Sequence, residues 1–123
     1  VEENLAAGYD VILEIEQQGA FAVKKSMPEA ILIFLTPPSI EELERRLRGR
    51  QTETEEVIAS RLATASVEAE KINQYDYVVI NDEVENCVEA IHRLIDAEHQ
   101  RTQFNGAKIQ ELQRDLQAYR KGE

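Results

Sequence analysis

The stretch ILIFLTPPSIEELERRLRG, residues Ile31–Gly49, indicates the fold class of this 123-residue chain. It opens with an apolar run rich in β-branched and aromatic side chains, which predicts a buried strand over Ile31–Leu35. The two prolines that follow stop the strand, because proline has no N–H to donate to a strand ladder. Ser39 with Glu42 three residues later forms a capping box, which predicts a helix that ends at the final glycine.

Outward from this stretch, strand and helix signals alternate. VILEI at Val11–Ile15 predicts an earlier strand, and YVVI at Tyr77–Ile80 predicts a later one. Helical segments are predicted over Glu2–Ala7, over Gly19–Ser26, after a capping box of Thr52 with Glu55, after a similar pair of Asp82 with Glu85, and along the apolar stripe Ile109–Tyr119. Strands separated by helices predict an α/β fold, a parallel sheet with flanking helices.

The composition is that of a globular domain. A content of 42% hydrophobic and 31% charged residues argues against disorder, and a net charge of −10 argues against binding to nucleic acid or an anionic membrane surface. The apolar run Ala30–Leu35 is too short to span a bilayer, and the acidic start VEENLAAGYD does not resemble a signal peptide. The single cysteine, Cys87, is typical of a reducing compartment, so we expect a cytoplasmic protein.

Polar side chains follow each predicted strand, at the sheet edge where ligands bind in parallel α/β folds. Glu14 and Glu16 close the first strand, and Asn81 and Asp82 follow the last. Two carboxylates on one strand face suit contacts with metal-bound water or hydroxyl groups. One solvated and one capping carboxylate is the alternative, and Asp82 is a good N-cap.

No metal site is predicted. His92 and His99 are seven residues apart on one helix, which is not a zinc-ligand spacing. Cys87 falls in an apolar helical stripe and is predicted to be a core thiol. The stripe Ile109–Tyr119 is expected to dock on its own domain, with contact to a second copy as the alternative.

Five arginines are concentrated in the segment Arg45–Arg61, RRLRGRQTETEEVIASR, of this acidic chain. Guanidinium groups bind phosphate oxygens with their planar fork and stay charged, so these arginines specifically suggest a polyanion as the ligand. The alternative is a solvated face of ion pairs with the neighbouring acids Glu41, Glu42, Glu44, Glu53 and Glu55.

Five separated motifs, in register along nearly the whole chain, resemble guanylate kinase. They are EIEQQGA at Glu14–Ala20, FLTPPS at Phe34–Ser39, RRLRGR at Arg45–Arg50, TETEEVIASR at Thr52–Arg61 and YDYVVIND at Tyr75–Asp82. The likeness is to the bacterial enzymes, which have an extra C-terminal helix. The resemblance implies the P-loop nucleoside-monophosphate kinase fold, and transfer of the γ-phosphate of ATP to GMP with Mg²⁺.

The resemblance also implies catalytic residues. Arg46 and Arg50 match arginines at the start of the lid that closes over ATP, and Arg61 matches the arginine that reaches the transferring phosphate. Arg45 and Arg48 are expected to be surface residues. The corresponding segments are residues 1–48 as core strands and helices, 49–61 as lid, 62–100 as core completion and 101–123 as C-terminal helix.

Nucleotide-contacting residues are implied in the same way. Asn81 matches a residue near the adenine, Glu14 and Glu16 match paired carboxylates near GMP and the metal-bound water, and Gly19 matches a glycine beside GMP. The family has glycine where this chain has Gln51, so the lid turn is strained or different if that position needs a positive φ.

The 123 residues contain no G-x-x-x-x-G-K-[ST] phosphate loop. The chain therefore looks like the C-terminal part of a guanylate kinase, without the loop and the GMP-binding region, and we expect it to be inactive alone. A non-catalytic guanylate-kinase-like binding module or fragment is the alternative. In this family the P-loop strand lies between the two strands that match VILEI and ILIFL. The chain is thus expected to close that gap, to be held by the missing segment, or to swap strands as a homo-oligomer.

Overall fold

The computed structural model describes residues 1–49 and 54–120. Within these residues the chain forms a mixed α/β structure that divides into two compact units, Val1–Val78 and Val79–Glu123. In chain order the elements are α1 (Glu2–Ala6), α2 (Gln17–Ser26), β1 (Ile33–Thr36), α3 (Ile40–Gly49), α4 (Glu55–Ala69), β2 (Tyr77–Ile80), α5 (Val84–His99) and α6 (Gly106–Gln117).

The two strands pair in parallel, as the alternation of strands and helices predicts. The strand predicted over Tyr77–Ile80 is confirmed, and the one predicted over Ile31–Leu35 is found slightly later, at Ile33–Thr36. Leu32, just before β1, is buried, and its carbonyl accepts hydrogen bonds from the N–H groups of Asp76 (2.9 Å) and Tyr77 (3.1 Å). These bonds fix where the two strands start relative to each other.

The strand predicted over Val11–Ile15 is wrong. This segment has no regular structure, and Ile12 is 74% exposed. High β-propensity does not form a strand by itself, because the backbone N–H and C=O groups of a strand must be bonded to a neighbour. The only sheet in the described part of the chain pairs β1 with β2 and does not include this segment.

A polar cluster joins α2 to the starts of both strands. Asp76 Oδ2 accepts from the N–H of Leu32 (2.8 Å) and from Lys24 Nζ (3.1 Å). Lys24 Nζ also donates to the carbonyl of Ala30 (2.5 Å). The Asp76 carboxylate thus accepts from the N–H of Leu32, just before β1, and binds Lys24 in the last turn of α2. Polar groups in protein interiors are normally satisfied by hydrogen bonds of this kind.

Aromatic packing covers the same junction. The ring of Tyr75 contacts Phe21 of α2 and Phe34 of β1 edge-on, with centroids 5.5 and 5.1 Å apart. Edge-to-face pairs at such distances add to the free energy gained by burying the rings. Helix α2 and the starts of the two strands are therefore held by one polar and one aromatic cluster.

The starts of α3 and α4 follow local capping signals. Ser39 Oγ accepts from the N–H of Glu42 at 3.1 Å, as predicted. Thr52 of the second predicted capping box lies outside the described residues. In the structure the N-cap of α4 is Thr54, whose hydroxyl accepts from the N–H of Val57 at 3.3 Å. Helix α4 therefore starts with a threonine N-cap, two residues later than the predicted one.

The second unit contains α5 and α6. Asp82 is not the N-cap of α5, which is Glu83 without a side-chain cap bond. The carboxylate of Asp82 instead accepts from the adjacent N–H of Glu83 at 2.6 Å. Cys87 is buried, as predicted, whereas Leu116 and Tyr119 of the apolar stripe are 62% and 79% exposed. None of the helices in the described ranges has the length and apolar content needed to cross a bilayer.

We expect Asp76→Ala to lower the free energy of unfolding by about 1–3 kcal/mol, because it leaves the buried N–H of Leu32 without its acceptor. Glu29→Ala removes an exposed carboxylate from the same unit and should change this free energy by less than about 0.5 kcal/mol. Urea unfolding followed by circular dichroism measures both. Equal losses in the two variants would contradict the role given to Asp76.

Candidate functional site

Helix α3 presents a row of arginines, and its acidic residues bind them. Arg45 donates to Glu42 through Nε (2.9 Å) and Nη2 (2.5 Å), and Arg46 donates to Glu42 through Nε (3.0 Å). The spacings of three and four residues place these side chains on one helix face. One carboxylate thus holds two guanidinium groups.

Arg48 forms a second group of ion pairs. Its Nε and Nη2 donate to Glu44 Oε1 at 3.1 and 2.9 Å, and its Nη1 bonds Glu55. Glu44 lies on α3 and Glu55 opens α4, so Arg48 links the two helices, which pack against each other. The Arg48 side chain is 45% exposed, as expected of a surface residue.

The ion pairs shift the pKa values of the groups in them. Hydrogen bonding by Arg45 is the main cause that lowers the pKa of Glu42 to about 2, with a smaller contribution from Arg46. The same contact with Glu42 raises the pKa of Arg45, and Glu55 with Glu44 raises the pKa of Arg48. Glu42 is therefore an anion at every physiological pH.

Two of the three predicted catalytic arginines, Arg46 and Arg61, lie within the described residues. Arg46 lies on α3 with its side chain 35% exposed, and Arg61 lies on α4 at an exposed position. Since α3 packs against α4, these two arginines are on neighbouring helices. Arg50 lies outside the described residues, as does Gln51.

The predicted pair of carboxylates, Glu14 and Glu16, does not share a strand face. Glu14 is exposed in the irregular segment, whereas Glu16 is the N-cap of α2 and accepts from the N–H of Gly19 at 3.1 Å. The alternative of one solvated and one capping carboxylate describes this arrangement. Glu16 can cap the helix because its carboxylate reaches a free N–H group of the first turn, which has no partner within the helix.

Gly19 lies in the first turn of α2, and Asn81 directly follows β2. A Cβ on Gly19 would lie 3.1 Å from Glu16 Oε1, so a larger residue would displace the capping carboxylate. Asn81 is partly buried and belongs to the second unit.

The carboxylates do not assemble a cation site by themselves. Across residues 1–49 and 54–120, no group of three or more His, Cys, Asp or Glu side chains is placed to hold a metal ion. Sequence reasoning named the acids around the arginines but missed the specific link from Glu42 to Arg46. Their spacing of four residues was the available signal.

Comparisons with known proteins identify relatives of this chain. A family model described as guanylate kinase matches residues 1–98. A guanylate kinase of Listeria monocytogenes serotype 4b is 52% identical over 103 residues, covering 84% of this chain and 50% of the relative. One from Streptococcus thermophilus strain CNRZ 1066 is also 52% identical, covering 84% and 49%. One from Chromobacterium violaceum is 59% identical over 87 residues, covering 71% and 41%. The chain spans about half the length of these bacterial relatives.

We expect the carboxyl of Glu42 to titrate with a midpoint near 2 rather than 4.5. Because the folded-state pKa is lowered, the stabilisation from these ion pairs is complete above the unfolded value of 4.5 and is lost as pH falls from 4.5 to about 2. Carbon-13 NMR of the Glu42 side chain measures the midpoint. Arg45→Ala should raise it more than Arg46→Ala does, and an unchanged midpoint in Arg45→Ala would contradict the assignment.

Proposed function

Because this chain belongs to the guanylate kinase family, we propose that the intact protein phosphorylates GMP with ATP and Mg²⁺ to give GDP and ADP. The match of the family model over residues 1–98 carries the proposal. The pairing of two parallel strands flanked by helices supports the further proposal of a P-loop nucleoside-monophosphate kinase fold. The absence of a candidate membrane-crossing helix in the described ranges, together with these substrates, supports a cytoplasmic location.

In the proposed reaction an oxygen of the GMP phosphate attacks the γ-phosphorus of ATP. The bond from that phosphorus to the β–γ bridging oxygen breaks, and ADP leaves with the electron pair. Such a transfer depends on positioning and charge stabilisation more than on a covalent nucleophile. Arg46, Arg50 and Arg61 are the proposed ligands of the phosphate oxygens, since guanidinium groups match them in geometry and charge.

The accessibility of Arg46 supports this role, because its side chain is 35% exposed. An ion pair near the surface contributes little net free energy, so phosphate oxygens can compete with Glu42 for this guanidinium group. The Arg48 link between α3 and α4 supports a fixed relation of the two helices that carry Arg46 and Arg61.

Mg²⁺ would supply charge neutralisation on the ATP phosphates, and it is commonly bound through phosphate oxygens, water and one or two carboxylates. Glu14, with its exposed carboxylate, fits such an outer contact. Glu16 fits less well, because its carboxylate is already used to cap α2. Asn81 and Gly19 are proposed contacts of the adenine and of GMP on the strength of the sequence match.

These 123 residues alone are proposed to be inactive, because they contain no G-x-x-x-x-G-K-[ST] loop to hold the ATP phosphates. The unpaired and exposed segment Val11–Ile15 supports the related proposal that this region pairs with another strand. That strand belongs either to the intact protein or to a second copy of the chain, as a strand-swapped homo-oligomer.

A non-catalytic binding module of the same family is the second candidate function. The ion pairs of Arg45, Arg46 and Arg48 favour it, because arginines that only cover a surface are expected to pair with neighbouring acids. A module of this kind would bind a protein partner without forming ADP. Turnover by the intact protein distinguishes the two candidates.

We expect Arg61→Ala to lower the rate of GMP-dependent ADP formation by the intact protein at least roughly tenfold, because a ligand of the transferring phosphate is lost. Arg93→Ala is the matched control, since Arg93 is an exposed helical arginine that bonds Glu89. It should leave the rate unchanged. A coupled assay for ADP measures both, with the 123-residue chain alone as the blank. Equal rates for the two variants would contradict the role of Arg61, and absence of turnover in the unaltered protein would favour the binding module.

A further inference from the structure

We propose that Glu42 is a positioning residue for Arg46, holding its guanidinium in place before a nucleotide binds. This inference rests on the proposed function, in which Arg46 is a phosphate ligand. Glu42 itself, as an anion, would not touch the phosphate. Its effect on the reaction would pass through the arginine.

The geometry around Glu42 supports a fixed carboxylate. Oε1 accepts from Arg46 Nε (3.0 Å) and Arg45 Nη2 (2.5 Å), while Oε2 accepts from Arg45 Nε (2.9 Å). Both oxygens are therefore engaged. The Glu42 side chain is 24% exposed, against 73% for Arg45, so the outer arginine covers the carboxylate that the inner one uses.

The atom that Glu42 binds is informative. Nε is the nitrogen nearest the aliphatic stem, and a bond there restrains the plane of the whole guanidinium group. A long side chain that is already restrained loses less conformational entropy when it binds an anion. Glu42 would thus prepare Arg46 for phosphate.

The number of bonded arginines distinguishes Glu42 from the next glutamate of α3. Glu42 bonds two arginines, Arg45 and Arg46, and uses both of its oxygens. Glu44 bonds Arg48 through one oxygen, and Arg48 also bonds Glu55 of α4. Glu42 is therefore more firmly restrained than Glu44.

Arg45 has a supporting part in this arrangement. It neutralises the carboxylate that Arg46 would otherwise neutralise alone, so that Arg46 retains more of its attraction for an anion. The lowered pKa of Glu42 agrees with a carboxylate that remains charged throughout the pH range of an enzyme assay.

The test compares Glu42→Gln with Glu89→Gln in the intact protein. Each glutamate bonds the arginine four residues later on its own helix, Arg46 on α3 and Arg93 on α5. Glu42→Gln should lower kcat/KM for ATP roughly threefold to tenfold, and Glu89→Gln should lower it less than about twofold. Thermal unfolding should be nearly the same in both, because ion pairs near the surface contribute little to stability.

A double-mutant cycle with Arg46→Ala decides whether Glu42 acts through Arg46. If it does, Glu42→Gln has no further effect once Arg46 is alanine, and exchange of the Arg46 Nε–H with water, followed by nitrogen-15 NMR, becomes faster in Glu42→Gln. An equal loss in both backgrounds, or no loss on Glu42→Gln while Arg46→Ala is slow, would overturn the positioning role alone. Full activity of Arg46→Ala would overturn the role proposed for Arg46 as well.

Discussion

The carboxylate of Asp76 is the contact on which the arrangement of residues 1–78 depends most. It binds the backbone of Leu32 at the start of one strand, precedes the other strand directly, and receives Lys24 from the end of a helix. With only two strands in the described sheet, ladder bonds alone give little stability. A side chain that joins the strand starts and the helix therefore fixes where β1 and β2 start relative to each other and to α2.

The arginines of α3 show how an acidic chain can keep a local site for an anion. Each of Arg45, Arg46 and Arg48 bonds a glutamate one helical turn earlier, which limits self-repulsion along the helix. Exposed pairs of this kind are weak and are screened by salt. An anion of higher charge, such as a polyphosphate, can therefore compete with these glutamates for the guanidinium groups.

The sequence predicted structure that depends on neighbouring residues, but it did not show which distant segments pair with each other. The cap at Ser39 is confirmed, because it depends on residues close in the chain, and the strand Tyr77–Ile80 is confirmed because its apolar run pairs with β1. Val11–Ile15 is not a strand, because a strand also needs a paired neighbour. The bond from Lys24 to Asp76 crosses 52 positions and has no sequence signal. In the candidate site, family motifs supplied the arginines, whereas the choice of Glu42 as partner for both Arg45 and Arg46 depends on side-chain geometry.

The most direct test of the account is a crystal structure of the intact protein with a bisubstrate analogue that joins adenosine and guanosine through a polyphosphate chain. The quantity to measure is the distance from the guanidinium nitrogens of Arg46 and Arg61 to the nearest phosphate oxygens. The account predicts about 2.7–3.2 Å for both arginines, the range of direct hydrogen bonds. Guanidinium groups that remain bonded only to glutamates, with the polyphosphate bound elsewhere, would contradict it.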